Sequence, residues 1–315
     1  MMTELTSPPR DSNPDEDQGA EQANQPPQHP TEINEDTDIS TLSAAQLYEL
    51  NQNLLDQTAD VQRPLIAKIA PMAELRAEYE RGSVSFVKQI DYLEGRGYSS
   101  FRRTRGDGDC FYRSVAFAYV EKLLQSDDPA IAAAAALSTL EQTPIVLESA
   151  GYEKMVYEDF YAVLEELVKN VATLDDYGNP TLTDEMLLEA FQDPQTSNSI
   201  VVYMRMLTSA QIRLDPDNFA PFLFHPELGE PMEVREFCEH FVDATGKEAD
   251  HVQMTALSRM LRINIDVAYL DGRGSNGQVE FVKFQPEETM EVIVSSPICL
   301  LYRPGHYDIL VGPTA

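Results

Sequence analysis

The stretch RGDGDCFYRSVAF, residues 105–117, places Cys110 directly after a Gly/Asp turn and at the predicted start of a helix. A free thiol has a pKa of about 8.5, so a nucleophilic cysteine needs a setting that stabilises its thiolate. The unpaired N–H groups and the positive dipole end of a helix provide such a setting. Glycines in the turn also let main-chain donors approach a reacting carbonyl, as an oxyanion hole requires. The alternative is a capping turn followed by an ordinary buried thiol.

A cysteine hydrolase also needs a general base and a group that orients it. The segment HYDIL, predicted to be a strand, contains His306 and, two residues later, Asp308. Alternate residues of a strand point to the same face, so these two side chains project together while Tyr307 and Ile309 pack on the other side. A carboxylate beside an imidazole fixes its tautomer and stabilises the imidazolium. The alternative is the polar face of an edge strand.

The remaining histidines and cysteines fit structural roles. We assign His29 to the tail, His225 to a loop and His240 to a mid-helix position. His251 lies at a helix start capped by Asp250. Cys238 and Cys299 lie in apolar contexts typical of core thiols. The three cysteines are widely spaced and form no CxxC pair, which disfavours a disulfide framework or a zinc site and fits a reducing compartment.

Charge and hydropathy limit the function classes. The 315 residues include 53 acidic and 23 basic side chains, for a formal net charge of -30. This balance disfavours a nucleic-acid binder and suits a cationic partner or a basic peptide tail. The start of the sequence has no apolar signal-like region, and the run AIAAAAAL is too short to span a membrane. We therefore expect no membrane partner and a cytoplasmic or nuclear location.

Composition divides the chain into three predicted parts. Residues 1–40 carry ten acidic side chains and six prolines, which predicts a disordered acidic tail. Residues 41–80 predict a helical arm, with one helix starting near Ser40 or Thr41 and a second after Pro64. In residues 81–315, predicted helices come first and alternating strands come last. This order indicates an α+β fold with a small mixed sheet.

The predicted elements after residue 81 flank the two chemical motifs. Helices are predicted over 85–98, 110–125, 128–142, 153–172, 183–192, 196–210, 231–244 and 249–261, and strands over 263–270, 279–284, 298–303 and 306–312. Pro304-Gly305 predicts a hairpin turn between the last two strands, so the histidine motif lies in the final strand.

The pair of motifs DGDCFYRSVAF and LLYRPGHYDIL resembles the otubains, the C65 peptidases within the OTU superfamily of cysteine deubiquitinases. The resemblance extends over roughly residues 45–312, including the segments SNSIVVYMRMLTSAQI and GKEADHVQMTALSRM. It implies a papain-like OTU fold in which a helical subdomain packs on a small mixed sheet. It also implies that residues 41–80 help to bind ubiquitin.

Residue by residue, the resemblance implies that Cys110 is the nucleophile, His306 the general base and Asp308 the group that orients the imidazole. Asp107 matches the aspartate of the oxyanion loop. The implied reaction is hydrolysis of isopeptide bonds in ubiquitin chains, of the type joined through lysine forty-eight, by a ubiquitinyl hydrolase without a metal or organic cofactor. Implied partners are ubiquitin, polyubiquitin chains and ubiquitin-conjugating enzymes, and we expect a monomer.

Two residues depart from the family pattern. The family loop usually reads Asp-Gly-Asn-Cys, whereas here Asp109 precedes the cysteine. A carboxylate beside a thiolate disfavours the charged sulfur, so we expect Asp109 to make Cys110 less reactive. Gly106 replaces a more usual proline and is expected to loosen the loop.

Two rival functions remain beside the deubiquitinase. One is a binding module that holds ubiquitin or a conjugating enzyme without cleaving anything. The presence of Cys110, His306 and Asp308 together favours the enzyme, because a pure binder does not need all three. The other is a redox-sensing thiol protein, which the absence of a second cysteine near Cys110 in the sequence disfavours.

Overall fold

A six-stranded mixed sheet forms the centre of the protein, which the computed structural model describes for residues 63–272, 277–286, 292–294 and 296–312. The strands are β1 (Ile66–Pro71), β2 (Ser100–Thr104), β3 (Ile265–Tyr269), β4 (Glu280–Phe284), β5 (Ile298–Arg303) and β6 (His306–Val311). Their order across the sheet is β1-β2-β6-β5-β3-β4, and β3 and β5 are parallel while the other neighbours are antiparallel. The final strand, β6, therefore lies in the middle of the sheet.

Helices cover both faces of this sheet. They are α1 (Met72–Tyr79), α2 (Val84–Gly95), α3 (Cys110–Leu124), α4 (Pro129–Leu140), α5 (Thr143–Ser149), α6 (Lys154–Asn170), α7 (Asp184–Gln192), α8 (Pro194–Leu214), α9 (Pro216–Phe219), α10 (Val234–Phe237) and α11 (His251–Leu261). One core forms where α1 and α2 pack on residues such as Leu301 and Leu310. A larger core on the opposite face contains Tyr307 and Ile309 together with most of α3.

Helix α3 is the central helix of the larger core. All of its residues are buried except Glu121, Lys122 and Leu124, because apolar and small side chains occupy almost every position of the helix. A helix that is apolar on all sides must be surrounded by other elements. It contacts β6, α8 and α7, so its first residue, Cys110, is fixed between the sheet and the helical part of the molecule.

The predicted α+β architecture with a helical part packed on a mixed sheet is confirmed. The helix predicted directly after Pro64 is wrong, since residues 66–71 form β1, which pairs with β2. β1 is an edge strand and contains two β-branched isoleucines, which favour strands. At the edge of a sheet, the missing N–H of Pro71 removes no hydrogen bond between strands. β1 and α1 therefore belong to the same unit as the sheet. The predicted tail and the helix near residue 41 lie outside the described residues.

One predicted helix differs in detail from the structure. The single helix expected over 231–244 is α10 followed by a π-helical turn, Cys238–Val242.

The segment Pro129–Ser149 is long and apolar enough to cross a membrane by length and composition alone. It is divided into α4 and α5, and its inner faces contribute Ala133, Ala136, Leu140 and Leu147 to the core, as the helices of a globular domain do.

Candidate active site

Cys110 is the first residue of α3, and its side chain is 2% exposed. The preceding turn bends sharply at Gly108, which has a φ of 76°, in the left-handed region that glycine adopts without strain. The first N–H groups of any helix lack partners within the helix, so they are free to interact with a negative charge near the sulfur. The predicted turn followed by a helix start is thus confirmed, with the sulfur at the positive end of the helix dipole.

Gly108 is also the point of closest approach between the turn and a second loop. A Cβ atom at this position would lie 2.3 Å from the carbonyl oxygen of Gly246. Only a residue without a side chain allows the two backbones to pack at this distance. The cysteine turn is therefore fixed against the segment that leads into α11.

The carboxylate of Asp107 is held by a buried arginine. Nη2 of Arg113 donates to Oδ2 of Asp107 at 2.6 Å, and Nη1 of Arg113 donates to Ser197 and Asn198 at the start of α8. Oδ1 of Asp107 accepts from the backbone N–H of Asp109 at 3.0 Å, which closes the turn. Asp107 thus fixes the geometry of the main chain before Cys110 and joins the turn to α8.

Asp109 is held by a second buried arginine, Arg205 of α8. Nε of Arg205 donates to Oδ1 of Asp109 at 2.8 Å, and the backbone N–H of Gly246 donates to the same oxygen at 3.0 Å. The guanidinium also donates to the carbonyl oxygens of Gly108, Val242 and Lys247. The predicted effect of Asp109 on Cys110 stays a prediction, and the structure adds that the positive charge of Arg205 lies directly against this carboxylate.

His306 and Asp308 project from the same face of β6, as predicted, while Tyr307 and Ile309 pack in the opposite core. Nε2 of His306 lies 2.8 Å from Oδ1 of Asp308, whose side chain is fully buried. The backbone N–H of Thr104 donates to the same oxygen at 3.0 Å. These contacts fix the orientation of the imidazole ring.

Burial alone lowers the pKa of His306, but Asp308 and Cys110 outweigh it and raise the pKa to about 10. Burial favours the neutral acid at Asp308, yet the charges of Arg303 and His306 hold its pKa well below the usual range. The second ring nitrogen, Nδ1, is buried, and no described residue meets it in hydrogen-bonding geometry. Cys110 is also a cause of the raised pKa of His306, as expected of a thiol close to the imidazole.

Glu248 is a further carboxylate near His306. Burial raises the pKa of Glu248, and the charge of His306 opposes that rise. Its Oε1 would lie 3.4 Å from a Cβ at Gly305, the turn residue before His306. The loop that leads into α11 therefore contacts both the cysteine turn and the histidine turn.

The structure does not bring the other titratable candidates to this site. His251 pairs with Asp250 at 2.8 Å, but both side chains are more than half exposed and belong to the predicted cap of α11. Cys238 is buried in a separate core cluster, as predicted, and Cys299 is half-buried on β5. Among the residues that the structure describes, no group of three or more His, Cys, Asp or Glu side chains is placed to hold a metal ion.

Three arginines lie at the site: Arg113, Arg205 and Arg303. The sequence assigned no role to the first two, and it left Arg303 as part of the triplet Tyr302-Arg303-Pro304, which either shapes the cleft beside His306 or forms a turn. Each is largely or fully buried and bonded to a carboxylate of one of the two motifs. A signal was present for the first two, since each is a charged residue between apolar neighbours in a predicted helix. Such a residue must have a charged or polar partner, although the sequence does not show which partner.

The comparisons with known proteins agree with one another. The profile of the otubain family, peptidase C65, matches residues 58–312. The chain is 34% identical to OVARIAN TUMOR DOMAIN-containing deubiquitinating enzyme 1 of Arabidopsis thaliana, covering 78% of this chain and 80% of the relative. It is 32% identical to ubiquitin thioesterase OTUB1 of Homo sapiens, covering 86% and 92% of the two chains.

Solved structures show the same relationship. The structure of an OTUB1 complex with ubiquitin aldehyde and UBCH5B~Ub matches with a TM-score of 0.69 and 26% sequence identity, covering 86% of this chain and 98% of that chain. A second complex, of OTUB1 with ubiquitin aldehyde and UBC13~Ub, matches with the same TM-score. The fold, the family profile and these relatives together show that the chain belongs to the otubain family of OTU-fold cysteine peptidases.

Proposed function

We propose that the protein is a thiol-dependent deubiquitinase that hydrolyses isopeptide bonds in ubiquitin chains. Cys110 is the nucleophile, His306 the general base and acid, and Asp308 the residue that orients the imidazole. The observation that carries this proposal is the placement of Cys110 at a helix start beside a buried imidazole, whose Nε2 is held 2.8 Å from Asp308. An activated nucleophile, its base and an orienting group are the parts that acyl transfer requires.

The reaction proceeds through a thioester. The Cys110 thiolate attacks the carbonyl carbon of ubiquitin's C-terminal glycine, and the carbonyl becomes a tetrahedral oxyanion. Main-chain N–H groups of Cys110 and of the turn at Asp107 stabilise that oxyanion. The imidazolium of His306 gives its proton to the leaving lysine amine, and the C–N bond breaks. His306 then accepts a proton from water, which attacks the thioester and releases ubiquitin with a free carboxylate.

The substrate class follows from the relatives and from the charge of the protein. Curated relatives are named ubiquitin thioesterases, and OTUB1 has been solved with ubiquitin aldehyde. The net charge of -30 suits the arginine-bearing C-terminal tail of ubiquitin, which complementary charge would attract. We expect chains joined through lysine forty-eight to be the preferred substrate.

A panel of di-ubiquitins, one for each linkage, tests the function directly. The intact protein is expected to cleave the lysine-forty-eight dimer fastest, and Cys110→Ser is expected to cleave none. Cleavage of another linkage at the highest rate would reject the proposed preference but keep the enzyme. If the folded protein left every linkage intact, the deubiquitinase proposal would be wrong.

A second function is favoured by the solved complexes. OTUB1 has been solved together with UBCH5B~Ub and UBC13~Ub, which indicates that an otubain surface can hold a conjugating enzyme charged with ubiquitin. We expect this protein to bind such a conjugate, with Cys110→Ser binding as well as the intact protein does. Calorimetric titration measures this, and an affinity that depends on the thiol would contradict a binding function separate from cleavage.

Gly108→Ala is expected to lower kcat for di-ubiquitin cleavage by about 10²-fold, the effect of displacing a catalytic group by roughly 1 Å. The new Cβ would lie 2.3 Å from the carbonyl oxygen of Gly246, so the turn that carries the oxyanion donors must move. Steady-state cleavage of di-ubiquitin measures the loss.

Gly178→Ala is the matched control for this substitution. Gly178 has a similar φ of 83°, but no atom lies within 4 Å of a Cβ built there. Both variants therefore share the backbone strain, and only Gly108→Ala has the clash. Equal activity of the two variants would show that the close approach to Gly246 is not needed.

A further inference from the structure

Arg303 ends β5 directly opposite His306, its register partner at the start of β6. Its Nη2 donates to Oδ2 of Asp308 at 2.6 Å, and its side chain is 14% exposed. A charged side chain with so little exposure is stable only when it is paired. The arginine therefore contacts the carboxylate that orients the imidazole, on the oxygen that the imidazole does not use.

Both oxygens of Asp308 are thus occupied by different partners. Oδ1 faces His306 and the backbone N–H of Thr104, and Oδ2 faces Arg303. If Arg303 were absent, the carboxylate would keep only the contacts on Oδ1 and could rotate about its Cβ–Cγ bond. Rotation would change the direction in which the imidazole is held, because Oδ1 would leave the line toward Nε2.

A second carboxylate lies behind Arg303. Oε2 of Glu78, on α1, lies 3.5 Å from Nη1 of Arg303, and Glu78 also pairs with Arg103 of β2. Asp308 and Glu78 therefore lie on two sides of one guanidinium. Asp308 and Glu78 thus both face the positive charge of Arg303, and Arg103 adds a second cation beside Glu78.

We propose that Arg303 is a positioning residue for the reaction, which keeps Asp308 ionised and aimed at His306 and is itself held by Glu78. This inference rests on the proposed function of Cys110, His306 and Asp308. It concerns a residue that does not touch the substrate. The role of Glu78 makes α1 a support of the catalytic histidine.

Loss of Arg303 changes the charge balance in a defined direction. Arg303 holds the pKa of Asp308 down against burial, so its removal raises that pKa. The other groups that face this cluster are Glu78 and Tyr79 from α1, Arg103 from β2, Cys110 from α3 and Glu248 from the loop before α11. None of them replaces the positive charge at Oδ2, so Asp308 takes up a proton at a higher pH and releases the imidazole.

The test follows the alkylation of Cys110 by iodoacetamide against pH, with mass spectrometry of the Cys110 peptide. In Arg303→Ala, the acid limb of the rate profile is expected to move upward by about one pH unit, because an imidazolium that Asp308 holds less firmly stabilises the Cys110 thiolate less. At a fixed pH on that limb, the alkylation rate of Arg303→Ala is expected to be about tenfold lower than that of the intact protein. Millimolar guanidinium chloride is expected to restore part of the rate, whereas sodium chloride and urea at the same concentration are not.

Two further variants keep the test decisive if Arg303→Ala does not fold. Arg303→Lys keeps the charge and is expected to retain the acid limb with a lower rate, since one ammonium cannot match the guanidinium geometry. Glu78→Gln is expected to shift the profile less than Arg303→Ala. Arg259→Ala is the matched control, because Arg259 forms a partly buried pair with Asp215 elsewhere in the molecule.

The outcomes separate this inference from the proposed function, because alkylation needs no ubiquitin. An Arg303→Ala profile that coincides with that of Arg259→Ala would overturn the positioning role, even if di-ubiquitin is cleaved. A shifted profile with guanidinium rescue would support it, even if every di-ubiquitin stays intact. A uniform loss of rate without a pH shift or rescue would also overturn it, since that pattern reflects only a weakened structure.

Discussion

Replacing His306 with asparagine is expected to lower kcat/KM for di-ubiquitin cleavage by about 10⁴-fold, the upper range for loss of a general acid–base group. Asparagine can still hydrogen-bond to Asp308, but it cannot carry a proton between Cys110, the leaving amine and water. Single-turnover kinetics with the lysine-forty-eight dimer measures the effect. A loss below about tenfold would show that another group performs the proton transfers.

The pH dependence of the intact protein tests the same residue. Although burial opposes it, Asp308 and Cys110 raise the pKa of His306 to about 10, so the imidazolium persists through neutral pH. A raised pKa stabilises the folded protein below the ordinary pKa of histidine, and this contribution is lost as the pH rises through about 10. The rate of amine release is expected to fall over the same alkaline range, and His306→Asn is expected to lack that limb.

His251→Asn is the matched control for His306→Asn. His251 has the same 2.8 Å contact with a neighbouring carboxylate, but the pair is exposed and caps α11. The variant is expected to leave the rate of di-ubiquitin cleavage unchanged. A loss as large as that of His306→Asn would mean that the rate reports general charge and not the buried imidazole.

Arg205→Leu is expected to lower the free energy of unfolding by about 3–5 kcal/mol, the cost of removing one partner of a buried ion pair. Arg205 is fully buried, and its loss leaves Asp109 without its cationic partner and the carbonyls of Gly108, Val242 and Lys247 without a donor. Urea unfolding measures the change. The cleavage rate should fall as well, because the same arginine joins the cysteine turn to the loop before α11.

Asp109→Asn separates the charge of this pair from its hydrogen bonds. An asparagine can present a carbonyl oxygen to Arg205 and to the N–H of Gly246, so the geometry is retained while the charge is lost. We expect a loss of stability well below that of Arg205→Leu and a cleavage rate within about threefold of the intact protein. A large increase in rate would show that the Asp109 carboxylate does oppose the thiolate.

The sequence predicted those parts of the fold that have a strong local period. The strands at 298–303 and 306–311 and the central helix from Cys110 follow directly from alternation, an apolar run and a Pro-Gly turn. β1 was predicted as a helix because IAKIAP is short and has no clear period of its own. Its conformation is decided by pairing with β2, whose partner residues lie 29 to 38 positions further along the chain, beyond the reach of local patterns.

The same limit applies to the site. The spacing of His306 and Asp308 on one strand predicted their shared face, and the structure confirms it. The sequence did not show the partner of Asp109, because Arg205 lies 96 residues away on α8. Sequence neighbours indicate which charges are close along the chain, but compensation by a distant residue becomes visible only when the helices are packed.

The account rests on Cys110 as the one sulfur that attacks the C-terminus of ubiquitin. A ubiquitin probe with a C-terminal electrophile, followed by peptide mapping, measures this directly. We predict a single adduct on Cys110 in the intact protein and in a Cys238→Ala/Cys299→Ala variant, a much slower adduct in His306→Asn, and none in Cys110→Ser. An adduct on Cys238 or Cys299, or no adduct on the folded protein, would contradict the account.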